Sequence, residues 1–131
     1  MKKDRLAKLY KKYSLEADDF FKHQHYTIIT RAGIDKIQGI EGIKINYDVI
    51  KCEPNYAVFK AIANHKEITL ETFGSALKGE GYKDGNTNTW YVAEMAEKRA
   101  MSRAILKLTG FYELGAFGED ESESFKKPLN N

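Results

Sequence analysis

Ile43-Lys-Ile-Asn-Tyr-Asp-Val49, then Tyr56-Ala-Val-Phe-Lys-Ala-Ile-Ala63, then Glu67-Ile-Thr-Leu-Glu-Thr-Phe73 is the stretch that decides the fold. In the first run Ile43, Ile45, Tyr47 and Val49 share one face and Lys44, Asn46 and Asp48 the other, the period-two pattern of a half-buried strand. Cys52-Glu-Pro-Asn55 and Asn64-His-Lys66 supply turn chemistry between the runs. Connections this short need no crossover helix, so the three runs predict an antiparallel meander.

On the C-terminal side, residues 74 to 89 hold four glycines and two asparagines around Lys78, Glu80 and Lys83, and read as an exposed loop that could serve as a binding element. From Trp90 to Thr109 the chain is rich in Ala, Met, Leu, Glu and Lys, and Gly110 follows, which predicts one long helix. Phe111 to Phe117 is expected to pack back on the body, and Gly118 to Asn131 to form a polar tail. On the N-terminal side, Tyr26-Thr-Ile-Ile29 suits a strand, and Thr30 looks like an N-cap for a short helix near 31 to 38, with Gly39 as its stop. Leu6, Leu9, Tyr10 and Tyr13 recur at helical spacing among Lys2, Lys3, Lys8, Lys11 and Lys12, giving an amphipathic helix with a basic side. The fold class is therefore α+β: an antiparallel meander of three or four strands packed on a long C-terminal helix, with an N-terminal helix. The expected segments are an amphipathic helix over 1–22, an α+β domain over 23–118, and a tail over 119–131 that is acidic, then basic.

The chain has 131 residues with 42% hydrophobic and 31% charged side chains, which suits one soluble domain. No run approaches the roughly 20 apolar residues of a membrane span, and no apolar segment follows the first basic residues, so a cytoplasmic protein is expected. One cysteine, Cys52, excludes an internal disulfide. Net charge is +2, but residues 119 to 131 carry four acids and two bases, which leaves the body at 19 bases against 15 acids. Such a balance permits a polyanionic partner without requiring one.

Signatures of catalysis are scarce. His23, His25 and His65 lack a carboxylate cluster at metal-ligand spacing, so no metal is expected. Asp48, Glu67 and Glu71 lie on adjacent strands as in a metal-dependent nuclease, yet no Glu-x-Lys follows. There is no phosphate loop, and Gly79-Glu-Gly81 is too short for a dinucleotide fingerprint. Neither a cofactor nor enzymatic activity is expected.

Arg99, Arg103 and Lys107 fall at successive i+4 positions and form one inclined basic stripe on the long helix. A stripe on a helix that is otherwise mostly apolar must face a groove, a partner subunit or buried carboxylates, because unpaired cations are costly to desolvate. Tyr82 beside Lys78 and Lys83, with Trp90 and Tyr91 at the helix start, adds rings on which bases could stack.

The order of these elements, and above all Tyr91-Val-Ala-Glu-Met-Ala-Glu-Lys-Arg-Ala-Met-Ser-Arg-Ala-Ile105 after Glu71-Thr-Phe-Gly-Ser-Ala76, resembles phage-type single-strand annealing proteins, the recombination mediators of the Erf, Red-beta and Rad-fifty-two superfamily. The resemblance covers roughly residues 24 to 118 and is carried by an Ala-x-x-Arg-Ala-x-x-Arg-Ala cadence in the helix. It implies protomers joined side by side through their sheets into rings or filaments, with single-stranded DNA in a basic groove between the sheet and the long helix. Arg99, Arg103 and Lys107 would line that groove, Lys98 would lie close by, and Lys78, Tyr82 and Lys83 would cover the strand. The implied function is ATP-independent binding and annealing of complementary single strands in phage or prophage recombination, in a bacterial host. A single-strand-binding protein or an exonuclease would be the partner. The chain departs from the family in lacking an extended C-terminal region for partner recruitment and in having a longer loop between Ala76 and Trp90. Its acidic Glu119 to Glu123 segment could compete with DNA for the groove, although a solvated tail is the simpler expectation. Two other readings remain: a non-enzymatic oligomeric scaffold that binds protein alone, and a small metal-dependent nuclease.

Overall fold

A computed structural model describes residues 2–79 and 91–121. The chain runs α1 (Lys2–Lys12), β1 (Phe20–His23), β2 (Tyr26–Ile29), α2 (Arg31–Glu41), β3 (Lys44–Glu53), β4 (Tyr56–His65), β5 (Ile68–Leu77), α3 (Val92–Leu108) and β6 (Ala116–Gly118). Short 3-10 turns at Tyr112–Leu114 and Glu119–Glu121 flank β6. The architecture is α+β, with the β3-β4-β5 meander packed on α3.

The meander is antiparallel throughout, with Tyr47 opposite Ala61 and Ala61 opposite Thr72. Its inner face is built from small residues. Ala57, Ala61, Ala63 and Ala76 are fully buried, and across from them lie Ala96, Ala100 and Ala104 of α3. Gly74 sets the spacing, because a Cβ there would stand 2.3 Å from the Ala96 carbonyl oxygen and 2.4 Å from the Ala100 nitrogen. Thr72 reinforces the contact by donating its hydroxyl to the Ala100 carbonyl at 2.7 Å. Gly74 therefore belongs to β5 and not to a loop as expected, since only glycine lets a helix backbone come this close to a strand. The strands also run further than the alternation predicted, β4 to His65 and β5 to Leu77.

α2 begins as expected, with the Thr30 hydroxyl accepting from the Gly33 backbone N–H. It does not stop at Gly39. It continues to Glu41 and ends at Gly42, whose φ of 68° is the left-handed conformation that terminates helices. Ile34 and Ile37, both buried in the main core, hold the helix through an isolated glycine that costs only about 1 kcal/mol.

A second sheet, ordered β1-β2-β6, was not foreseen. β6 pairs parallel to β2, with Ile28 opposite Phe117, so the segment after α3 returns to the N-terminal half. Three residues are too few for an alternation to show. α1 is docked rather than extended: Leu6 is buried, and Tyr13, 1% exposed, joins Phe111, Ile105 and Leu106 in the main core. Glu41 ties three elements together there. Its carboxylate accepts from the Tyr13 hydroxyl and faces Lys12 Nζ at 3.3 Å and His65 Nε2 at 2.9 Å.

Candidate nucleic-acid interface

α3 presents the expected stripe, and its members differ sharply in environment. Arg99 is 4% exposed. Its Nη1 donates to the Ser75 carbonyl at 2.8 Å and its Nε to the Asp120 carbonyl at 3.0 Å, so the guanidinium bridges β5 and the turn after β6. Arg103 lies one helical turn on and is half-buried. It donates Nη1 to the Phe73 carbonyl at 2.9 Å and Nη2 to the Glu121 carboxylate. Burial opposes the Arg103 charge, but the bond to Glu121 and the charge of that carboxylate outweigh it and raise the pKa. Lys107 is exposed, with its ammonium over the Tyr112 ring at 5.1 Å. Lys98 is half-buried on the same helix, and Lys78 is exposed just beyond β5, where its N–H donates to the Asn55 carbonyl. Tyr82 and Lys83 lie outside the described residues, as does Trp90.

Glu119–Glu121 is not a solvated tail. The three residues form a turn packed on α3, and each carboxylate finds a different donor. Glu119 accepts the Arg31 backbone N–H at the N-terminus of α2 at 2.7 Å, Asp120 accepts the Ser102 hydroxyl at 3.0 Å, and Glu121 accepts from Arg103. Helix N-termini and guanidinium groups are ordinary anion-binding elements, and here α2 and α3 bring them together at the acidic turn. The row is not saturated: Arg31 Nη1 and Arg103 Nε are buried without a hydrogen-bond partner among the described residues. Arg31 and Ser102 escaped sequence reasoning, whereas the acidic segment was weighed there as a competitor for the groove, with a solvated tail the simpler expectation. The only signal was three consecutive acids closely following a basic helix.

α1 forms a second basic surface. α1 carries Lys2, Lys3, Arg5, Lys8, Lys11 and Lys12 against a single acid, Asp4. Between α1 and β1 runs a groove of about 480 Å³ lined by Lys2, Lys3, Tyr10, Phe20, Phe21 and Lys22, among others. Tyr10 and Phe20 stack at 4.0 Å between centroids, and Phe21 is 45% exposed.

Asp48 and Glu71 each face Lys60 at 3.8 and 3.5 Å on the outer face of the meander, as exposed carboxylates of a surface ion trio, and Glu67 sits in the β4–β5 turn. His65 is engaged with Glu41, and His25 is exposed in the β1–β2 turn. Among the described residues no group of three or more His, Cys, Asp or Glu could hold a metal, and no helix is long and apolar enough to cross a membrane.

Comparison with known proteins adds no relative: no family model, curated protein or solved structure matches this chain.

Proposed function

We propose that this protein binds single-stranded DNA and promotes annealing of complementary strands without ATP, as an oligomer in phage or prophage recombination. One observation carries the reading. Three successive carboxylates of Glu119–Glu121 occupy three donors, one on α2 and two on α3, as consecutive phosphates of a strand would, and two further guanidinium nitrogens, Arg31 Nη1 and Arg103 Nε, are without a hydrogen-bond partner among the described residues. The acidic turn thus holds a polyanion-binding row in a closed form, and a strand that displaces it gains Arg103, Ser102 and the α2 N-terminus, with Lys107 already open beside them. Arg99 has a different part: it donates to two backbone carbonyls and positions the turn against β5. The apolar side chains of Phe73 and Leu77, exposed on the outer face of β5, suit association between copies. Annealing requires no bond-making, because the protein neutralises phosphate repulsion and base pairing supplies the driving force.

The decisive experiment is titration of a labelled oligonucleotide against wild-type protein, Arg103→Ala, and the triple variant Glu119→Gln, Asp120→Asn, Glu121→Gln. Arg103→Ala is expected to weaken binding, and the triple variant to tighten it and to speed annealing. Indifference of binding to both changes refutes the row as a strand site. The scaffold reading rests on the internal engagement of Arg99 and Arg103, and rings or filaments that ignore oligonucleotide at physiological salt would establish it instead.

A further inference from the structure

We infer that the groove between α1 and β1 is a docking site for a single polynucleotide strand, one whose bases lie on Phe21 and the stacked Tyr10–Phe20 pair while Lys2, Lys3 and Lys22 take the phosphates. The inference rests on the same polynucleotide reading but uses none of the α3 row. The groove is about 480 Å³, within the roughly 300–1,000 Å³ of ordinary ligand sites. Its floor is aromatic and its rim cationic. None of the three lysines is paired with a carboxylate among the described residues.

That combination selects the occupant. A ligand must offer a flat apolar surface to the rings and repeated negative charge to the rim, and a single strand supplies both on every nucleotide. A membrane surface fits less well. A basic amphipathic helix enters a bilayer through its apolar face, and most of the apolar face of α1 is committed to the protein, with Leu6 buried in the core and Leu9 packed against it, which leaves the half-buried Tyr10 ring at the groove. The α1 cations therefore stand on a docked helix whose apolar face is not free to enter a bilayer. Such a preorganised surface holds phosphates at little ordering cost.

The test measures binding of a short oligothymidylate, and of an inorganic polyphosphate of similar charge, across a salt series. Phe21→Ala is expected to weaken oligothymidylate binding about fivefold or more, because stacking contributes roughly 1–3 kcal/mol per base, and to leave polyphosphate binding unchanged. The double variant Lys3→Ala, Lys22→Ala is expected to weaken both probes and to reduce the salt slope for oligothymidylate by about 1.4, from about 0.7 per phosphate contact. All three side chains are exposed, so the variants should keep the wild-type thermal midpoint. Oligothymidylate binding indifferent to both variants overturns the inference, as does a Phe21→Ala effect seen only with an acidic peptide or with phosphatidylserine vesicles. If the groove variants bind normally while Arg103→Ala does not, this inference fails alone. If wild-type protein ignores the oligonucleotide, the functional reading fails with it.

Discussion

Replacing Gly74 with alanine places a methyl carbon 2.3 Å from the Ala96 carbonyl oxygen and 2.4 Å from the Ala100 nitrogen. Ordinary van der Waals contact lies near 3.5 Å, so the shortfall is about 1 Å. Both atoms belong to the α3 backbone, and neither can swing aside as a long side chain could. The helix must instead lift from the sheet. Lifting loosens the contacts of Ala57 and Ala76 with Ala96 and lengthens the 2.7 Å bond from Thr72 to the Ala100 carbonyl. Overpacking of a well-fitted core costs typically 1–3 kcal/mol, and a clash against fixed backbone belongs at the upper end, about 3 kcal/mol. For a chain of this length that corresponds to a fall of roughly 10 °C in thermal midpoint. Thermal unfolding followed by circular dichroism reads it directly. Gly39→Ala is the control, because nothing lies within 4 Å of its Cβ and a helical alanine there should stabilise by about 0.5–1 kcal/mol. A Gly74→Ala protein within 1 kcal/mol of wild type refutes the close approach of α3 and β5.

Arg99→Ala strips donors from the Ser75 and Asp120 carbonyls, and bonds from a charged group contribute about 1.5–3 kcal/mol each. A loss on the order of 3 kcal/mol in urea unfolding is expected, so any DNA-binding defect of this variant must be read at a temperature where it is folded. The acid limb of stability should depend on Asp19 and Glu41. Asp19 is held below the usual carboxylate range by the Glu16 backbone N–H and by Lys36, and Glu41 by the Tyr13 hydroxyl and by Lys12. Groups depressed on folding stabilise fully above their unfolded pKa near 4 and lose that contribution as pH falls through the folded value. The thermal midpoint should therefore be insensitive to these two groups above about pH 5 and fall below about pH 4, and Asp19→Asn should flatten that fall; an unchanged acid limb in this variant contradicts the assignment. Lys107→Ala should weaken oligonucleotide binding modestly and leave stability within about 0.5 kcal/mol, since its ammonium is exposed. A change in midpoint without a change in affinity would assign the Lys107–Tyr112 contact to folding.

The alternation of Ile43, Ile45, Tyr47 and Val49 and the turn residues at Pro54–Asn55 were enough to read the meander, and the Ala-rich run after Tyr91 was enough to read α3. Both are local signals repeated over seven or more residues. β1 and β6 are three or four residues long, and β6 pairs with a strand nearly ninety positions earlier, which no periodicity encodes. Gly74 was misread because a glycine needed for close helix approach looks the same in sequence as a glycine of a loop. The stripe of Arg99, Arg103 and Lys107 was legible from i+4 spacing alone, but what each guanidinium touches depends on β5 and on the turn after β6. The aromatic groove was invisible for a similar reason, since Tyr10 and Phe20 come from separate elements and meet only when α1 docks.

The carbonyls of Phe73 and Ser75, held by Arg103 and Arg99, give the meander two unlike borders. Among the described residues β3 ends the sheet with its outer backbone groups uncommitted to another strand, whereas β5 ends it with guanidinium groups already seated on its main chain. Contact of β3 with the β3 of another copy is two-fold and closes on itself at a dimer. Contact of β3 with β5 repeats head to tail and can grow, and it competes with the arginines for the same stretch of main chain. The two side chains that hold the acidic turn in place thereby also occupy the main chain that a head-to-tail contact between copies would need.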